Sequence, residues 1–368
     1  MKILKQEAAT ILAFAAFAFF ISFGHLLSPD RVGLTLSLTL LAILFLIMLW
    51  AAFSVVRHAE CLATILGEPY GTLILTLSVI GIEVALIASI MIAGDDKPTL
   101  ARDTMFSIIM IVLNGLVGLS LVAGGLRHRL QEYNLQGAGA YLGVLMPFAI
   151  LGLVLPRFTH SAPGGELSTL MAVFLIVMSI ALYGVFLAVQ TLTHSDIFKQ
   201  DNAIEDEDDH HHGEVISLTY HAIGLVAALL PIVLLSKKLA VYVDFAIGGL
   251  GAPLAFGGFL IAALILTPEG LSAIRAAQAN QLQRSVNICL GSTLSTMGLT
   301  IPTVLIIGWF VGQKVELGLE TTEIVLLAAT LIVSLVTFVS KRTHFLQGAV
   351  HLALFAAYII LIFDTGGT

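Results

Sequence analysis

The sequence predicts an all-α integral membrane protein of about eleven transmembrane helices: two inverted five-helix repeats behind one extra N-terminal helix. Three observations carry this expectation. The 368-residue chain is 58% hydrophobic and 11% charged, where globular proteins hold about 25% charged residues, and its mean hydropathy is +1.00. Apolar runs of about 18 residues or more recur along its length, as membrane-spanning helices require. A set of polar markers in the first half also returns in the same order in the second.

The spans read, in order, as 8–27, 32–56, 69–93, 105–126, 138–156, 167–190, 216–236, 252–274, 287–311, 324–340 and 344–363. The first follows Lys2 and Lys5 in the manner of a signal peptide. Its apolar run is too long for an h-region and ends in no clean small-residue cleavage site, so it reads as a helix. It accounts for residues 1–30, and spans two to six fill 31–193.

A polar segment at 194–215 then interrupts the apolar texture with "HSDIFKQDNAIEDEDDHHHGE". Asp196, Asp201, Glu205, Asp206, Glu207, Asp208, Asp209 and Glu214 face only Lys199, a surplus of seven that equals the whole formal net charge of −7. Such a block repels itself and prefers water. It reads as a solvated linker or as a cation-collecting, regulatory loop. In the second reading Glu205, Asp206, Glu207, Asp208, Asp209, His210, His211 and His212 offer carboxylates for hard cations and imidazoles for transition metals. No EF-hand spacing is present. Spans seven to eleven occupy 216–368.

Basic residues number ten on the N-terminal side of the spans and seven on the other. This bias predicts a cytoplasmic N-terminus and acidic loop with a periplasmic C-terminus. Cys61 and Cys289 lie far apart without metal or disulfide spacing and read as reduced packing residues.

Glu83 is the anomaly of span three, "LILTLSVIGIEVALIASIMIAG". Pro69 precedes it by 14 residues and Ser107 follows by 24; in the second half Pro253, Glu269 and Ser292 are spaced by 16 and 23. The ordered set Pro, Glu, Ser at near-equal intervals marks an internal repeat. Five spans per copy is an odd number, so the second copy enters the membrane upside down. Inverted repeats with polar residues near the midplane are the pattern of secondary transporters, whose site lies at the repeat interface.

A lone ionised acid at the bilayer centre costs about 2.5–3.5 kcal/mol on insertion scales. A glutamate there packs as a hydrogen-bonded group, takes a proton, or takes a cation. Two at repeat-equivalent positions favour a site held by protons or metal in alternation, which is antiport chemistry. Pro268 just before Glu269 predicts a discontinuous span eight with freed carbonyls. Asn114, Asn287 and Thr296 are pathway candidates on the helices that follow each glutamate, with helix–helix hydrogen bonding as the alternative. His58, His221 and His351 read as interhelical hydrogen-bonders or as a proton relay. Arg102, Asp103, Arg275 and Arg284 read as ion-paired or snorkelling groups. The "NGLVG" run at 114–118 and Gly257–Gly258 read as close helix contacts.

A channel would typically draw its acids from several subunits, whereas here they are duplicated in one chain. An intramembrane metalloenzyme would need zinc-like ligand spacing in a span. Neither an enzyme nor a resident cofactor is expected. Ca2+, Na+, K+ and H+ are the expected transported species, membrane lipid and small cations the partners, and nucleic acid is not one; oligomeric state stays open.

Long stretches, "SVVRHAECLATILGEPYGTLILTLSVIGIEVALIASIMIAGD", "RDTMFSIIMIVLNGLVGLSL", "LTPEGLSAIRAAQANQLQRSVNICLGSTLSTMGLTIP" and "GAVHLALFAAYIILIFD", closely resemble the cation/calcium exchanger superfamily, in its bacterial sodium/potassium–proton and calcium–proton antiporter branch. The resemblance covers most of the chain and is weakest before residue 50. It implies the sodium/calcium exchanger-like fold, a ten-helix core here joined by one further helix. It implies alternating access by sliding a gating bundle past a scaffold, and a bacterial inner-membrane location. The family's repeat glutamates fall on Glu83 and Glu269, and its glycine–serine pair on Phe106–Ser107 and Gly291–Ser292. The family's calcium exchangers carry an asparagine three residues before each glutamate, where this chain has Ile80 and Leu266. Calcium wants six to eight oxygens. Ser107, Ser292 and the carbonyls around Val79 and Ile265 would have to supplement the carboxylates. The resemblance therefore implies sodium or potassium as substrates alongside calcium, with strict calcium selectivity as the alternative.

Overall fold

The computed structural model describes residues 5–67, 70–92, 98–160, 162–198 and 216–364. Eleven helices run through them: α1 (Ala8–Phe23), α2 (Pro29–Leu66), α3 (Tyr70–Ile92), α4 (Leu100–His128), α5 (Leu135–Phe158), α6 (Thr169–Thr193), α7 (Leu218–Leu250), α8 (Ala255–Gln278), α9 (Leu282–Val311), α10 (Thr321–Phe338) and α11 (Phe345–Phe363). Nine are long and apolar enough to cross a membrane; α1 and the Thr76–Met91 stretch of α3 are shorter apolar helices. Each expected span corresponds to one helix. The chain is thus a multi-pass membrane protein with five-helix halves α2–α6 and α7–α11, preceded by α1.

Helix starts follow local chemistry. Asn134 accepts the amides of Gln136 and Gly137, Ser168 that of Met171, and Ser217 that of Tyr220, each filling donors a helix leaves open at its N-terminus. Pro29 sits in the first turn of α2, where its missing N–H costs nothing. Capping boxes begin α10 (Glu320 with Glu323) and α11 (His344 with Gln347).

Two boundaries differ from expectation. α2 runs on to Leu66 after a break at Gly33 (φ 76°) and α7 has 33 residues, where the apolar runs ended at 56 and 236. Ser236, Lys237 and Lys238 continue α7 as helix rather than loop. Lysine and serine both tolerate a helix interior, so a polar interruption ends the hydropathy signal without ending the hydrogen-bond ladder. These two long helices hold corresponding places in the two halves.

The chain divides into two compact units, each drawn from both halves. Unit 1 holds Met1–Lys97 and His210–Pro268; unit 2 holds Pro98–Asp209 and Glu269–Thr368. The sequence-order segments 31–193 and 216–368 therefore each contribute to both units. In unit 1, α2 packs extensively on α7, with α1 and α3 against both. In unit 2, α4 packs on α11 and α9 on α5. Gly118 and Gly348 bring the α4 and α11 backbones together: a Cβ at Gly348 would stand 2.7 Å from the Gly118 carbonyl oxygen. The "NGLVG" run thus serves this close approach. A two-residue antiparallel pair, β1 (Gln131–Glu132) with β2 (Arg342–Thr343), ties the α4–α5 link to the α10–α11 link.

Candidate functional site

The most enclosed helix is α4, with 83% of its apolar window buried, followed by α9 at 61% and α8 at 56%, against 22% for α2 and α11. These three enclosed helices carry Ser107, Asn114, Glu269, Ser292 and Thr296. Ser107, Asn114 and Thr296 are buried there and Glu269 and Ser292 partly buried; enclosure by neighbouring helices is what a polar residue in lipid surroundings needs.

α8 is a continuous α-helix through Pro268, which corrects the expectation of a broken span. Pro268 removes one backbone donor, and Thr267 Oγ1 donates to the Ala263 carbonyl at 2.6 Å, a side-chain bond inside the helix beside that gap. Val79 and Ile265 accordingly lie in unbroken helix. The irregular backbone lies instead in the helices that follow each glutamate. Met110–Leu116 of α4 and Thr296–Thr300 of α9 are π-helical, as are Ile150–Val154 and Val189–Thr193 at the ends of α5 and α6. A π-turn widens the helix and disturbs its bonding ladder, and such turns recur at functional sites. Asn114 and Thr296 both fall inside one.

In unit 2, Ser292 Oγ donates to Glu269 Oε2 at 2.5 Å, joining α9 to α8. Gly270, next to Glu269, receives the Leu116 side chain of α4; an added Cβ would lie 2.6 Å from its Cδ2. The backbone beside the carboxylate is thus in close contact with α4, and a larger residue at 270 would have to displace the Leu116 side chain. Gly291, preceding Ser292, rests against the Tyr141 ring.

Ser107 is buried and differently engaged: its Oγ donates to the Asp103 carbonyl at 2.6 Å and lies 2.7 Å from the Tyr358 hydroxyl of α11. The two serines, equivalent in the repeat, are not equivalent in bonding. Glu83 is 1% exposed, on α3 in unit 1.

The other candidates sort by their bonds. Asn114 Nδ2 donates to Thr330 Oγ1 at 2.8 Å, and Asn114 Oδ1 stands 3.4 Å from His351 Nδ1, whose Nε2 pairs with Thr337 at 3.0 Å. This is a buried network among α4, α10 and α11. Asn287 Nδ2 donates to the Phe198 carbonyl at 2.6 Å and its Oδ1 accepts from Gln283. Arg102 pairs with Asp103 at 2.8 Å and also bonds the Gly318 carbonyl. Glu205, Asp206, Glu207, Asp208, Asp209, His210, His211 and His212 lie outside the described residues, as does Pro69. Among the described residues no group of three or more His, Cys, Asp or Glu is arranged to hold a metal ion.

Sequence reasoning missed Tyr358, Thr330 and Thr337, the partners of Ser107, Asn114 and His351. Hydroxyl residues are common in apolar helices, and which ones face a neighbour is a matter of helix rotation.

The sodium/calcium exchanger protein family matches residues 36–192 and 220–363. The chain is 44% identical over 339 residues to the sodium-potassium/proton antiporter ChaA of Escherichia coli (strain K12), covering 91% of each chain. It is 25% identical over 309 residues to the Ca(2+)/H(+) antiporter ChaA of Bacillus subtilis (strain 168), covering 83% of this chain and 85% of that one. Among solved structures it resembles native YfkE with a TM-score of 0.73 at 21% identity, over 96% of this chain and 99% of that one. It resembles the H+/Ca2+ exchanger CAX with a TM-score of 0.70 at 13% identity, over 98% and 87%. At such identities the structural likeness is one of fold, and it extends across both halves. The chain belongs to the sodium/calcium exchanger family.

Proposed function

We propose that this protein is a secondary active cation/proton antiporter. It exports Na+ and K+, and Ca2+ with them, in exchange for protons by alternating access. Glu83 and Glu269 are the carboxylates that take cation or proton in turn, and Ser292 and Ser107 supply hydroxyl oxygens. The observation that carries the reading is the recurrence of an intramembrane glutamate at equivalent places in two inverted halves, in a chain 44% identical to a sodium-potassium/proton antiporter.

The chemistry follows from solvation. A carboxylate held away from bulk water is costly when ionised and unaccompanied. It is stable protonated or beside a cation, so loading one species releases the other. The Ser292 bond orients one oxygen of Glu269 and leaves the second for a ligand. The π-turns at Met110–Leu116 and Thr296–Thr300 support a path along α4 and α9. Ile80 and Leu266 contribute no amide oxygen beside the glutamates, which favours a cation of lower coordination demand over strict calcium selectivity.

The protein works in the bacterial inner membrane, with N-terminus and acidic segment cytoplasmic and C-terminus periplasmic. Lipid and small cations are its partners; nucleic acid, enzymatic turnover and a resident cofactor have no place in this scheme. Everted membrane vesicles with a pH-sensitive dye test it. Glu83→Gln and Glu269→Gln should each abolish proton-coupled sodium, potassium and calcium flux while wild-type amounts of folded protein remain. Full exchange by either variant overturns the site assignment, and flux that cannot drive another cation uphill overturns antiport.

A further inference from the structure

A second polar cluster, wholly inside unit 1, takes no part in the scheme above. It joins the first residue before α1 to the last third of α2 and the start of α7. Arg57 donates to Glu7 Oε1 at 2.7 Å and the Tyr220 hydroxyl donates to the same oxygen at 2.6 Å. His58 Nε2 lies 3.2 Å from Glu7 Oε2, His58 Nδ1 lies 3.1 Å from His221 Nδ1, and the Ile216 amide donates to His221 Nε2 at 3.2 Å. Both imidazoles are fully buried, while the Glu7 and Arg57 side chains keep 19% and 22% of their exposure. One end of the cluster touches solvent and the other does not.

One bond sets the direction of the rest. A backbone N–H can only donate, so His221 accepts at Nε2 and as a neutral ring carries its proton on Nδ1. That proton points at His58 Nδ1, which accepts, so His58 carries its own proton on Nε2 and gives it to Glu7; Arg57 Nη2, 3.1 Å from the same ring nitrogen and able only to donate, then gives its protons to Glu7 Oε1 and the Gln6 carbonyl. The chain runs one way, from amide to imidazole to imidazole to carboxylate. Outside the spans, Glu7 is an apt terminus. Burial raises its pKa, but the hydrogen bonds from Tyr220 and Arg57, the Arg57 charge and the His58 bond together hold it below its ordinary value. The fold reserves space for this arrangement: a Cβ at Gly224, in the second turn of α7, would stand 2.3 Å from His58 Cε1 and 2.6 Å from its Nε2.

We propose that Glu7, His58 and His221 form a proton-binding site separate from the transport carboxylates, through which pH on the N-terminal side of the membrane tunes exchange. The charged and titratable groups about His58 are Glu7 from α1, Arg57 from α2, and Tyr220 and His221 from α7. Both imidazole acceptors are occupied, so an added proton has no free lone pair. When His58 takes one from solvent, its Nδ1 becomes a donor facing the His221 Nδ1–H. His221 must then move its proton to Nε2, and the Ile216 amide loses its acceptor. One proton enters, only N–H bonds change, and the net charge of the cluster rises by one. The event is transmitted from partly exposed Glu7 to the start of α7, directly after the acidic segment in sequence.

The effect on exchange rests on the antiporter reading; the proton site itself does not, and two measurements separate them. Ring-nitrogen NMR of the purified, histidine-labelled protein reads the tautomers without transport. At about pH 9 His221 should be neutral with Nδ1–H and His58 neutral with Nε2–H, and both should change together as pH falls toward about 5. Independent titration, the opposite tautomers, or no change before unfolding overturns the proposal. In everted vesicles, His58→Gln keeps a donor and an acceptor but cannot ionise. It should retain peak exchange within about twofold and shift the acid limb of the pH profile by about half a unit or more. Gly224→Ala, which displaces the ring, should shift the same limb. Profiles superimposable on wild type for both variants overturn the regulatory role. Absence of exchange in wild type as well would instead count against the antiporter reading, with the NMR result standing by itself.

Discussion

Ser107 and Ser292 are interchangeable by sequence, and their bonding makes them unequal; removing each hydroxyl measures the difference. Ser292 donates to a carboxylate, Glu269 Oε2 at 2.5 Å. A hydrogen bond to a charged group contributes about 1.5–3 kcal/mol, and about 1.4 kcal/mol is tenfold in affinity. Ser292→Ala therefore has a ceiling of roughly 10- to 150-fold in apparent cation affinity. Glu269 is only partly buried, so water recovers some of the lost bond and the expected loss lies near the lower end, about tenfold. Ser107 bonds the Asp103 carbonyl and the Tyr358 hydroxyl, both neutral. Its loss costs about 0.5–1.5 kcal/mol per bond and falls mainly on α4–α11 packing, so apparent affinity should change by no more than about threefold. The assay is dye-reported exchange in everted vesicles, titrated with sodium, potassium and calcium, at matched expression. A loss of affinity for Ser107→Ala equal to or larger than that for Ser292→Ala would refute the reasoning.

Three further outcomes follow from other contacts. Gly348→Ala places a methyl 2.7 Å from the Gly118 carbonyl oxygen and 2.8 Å from the Val122 amide nitrogen. Backbone cannot step aside, so about 1–3 kcal/mol of overpacking should lower the thermal midpoint in detergent by several degrees; an unchanged midpoint contradicts the α4–α11 approach. Glu7 is held below its ordinary 4.5 in the folded protein. Its stabilisation is therefore complete above that value and lost as pH falls through the depressed one. The midpoint gap between wild type and Glu7→Gln should close as pH falls below 4.5, and a gap that keeps widening below that value would reverse the assignment. Deleting 201–212 should alter apparent affinity, pH response or metal sensitivity without ending exchange; complete loss by a correctly inserted protein would make the acidic segment essential.

Several features were legible in the sequence because their cause is local. Each apolar run became a helix, since lipid leaves the backbone no partner but itself. The Pro–Glu–Ser spacing disclosed the repeat because duplication preserves intervals. Pro268 misled: a proline removes one donor, but Thr267 bonds a neighbouring carbonyl and α8 runs through. The π-turns that do disturb α4 and α9 have no composition of their own. Lys237 and Lys238 marked the end of apolarity and not of helix.

By itself the sequence determined the solvent, the number of spans, the two halves and the anomalous carboxylates, all consequences of hydropathy and interval along one dimension. Only the tertiary structure decided which hydroxyl meets which acid, which glycine seats which side chain, and that Glu7, set outside the repeats, reaches a histidine 51 residues away. Those pairings depend on the rotation and depth of each helix against its neighbours. Both are set by packing summed over many side chains, so no short stretch of sequence encodes them.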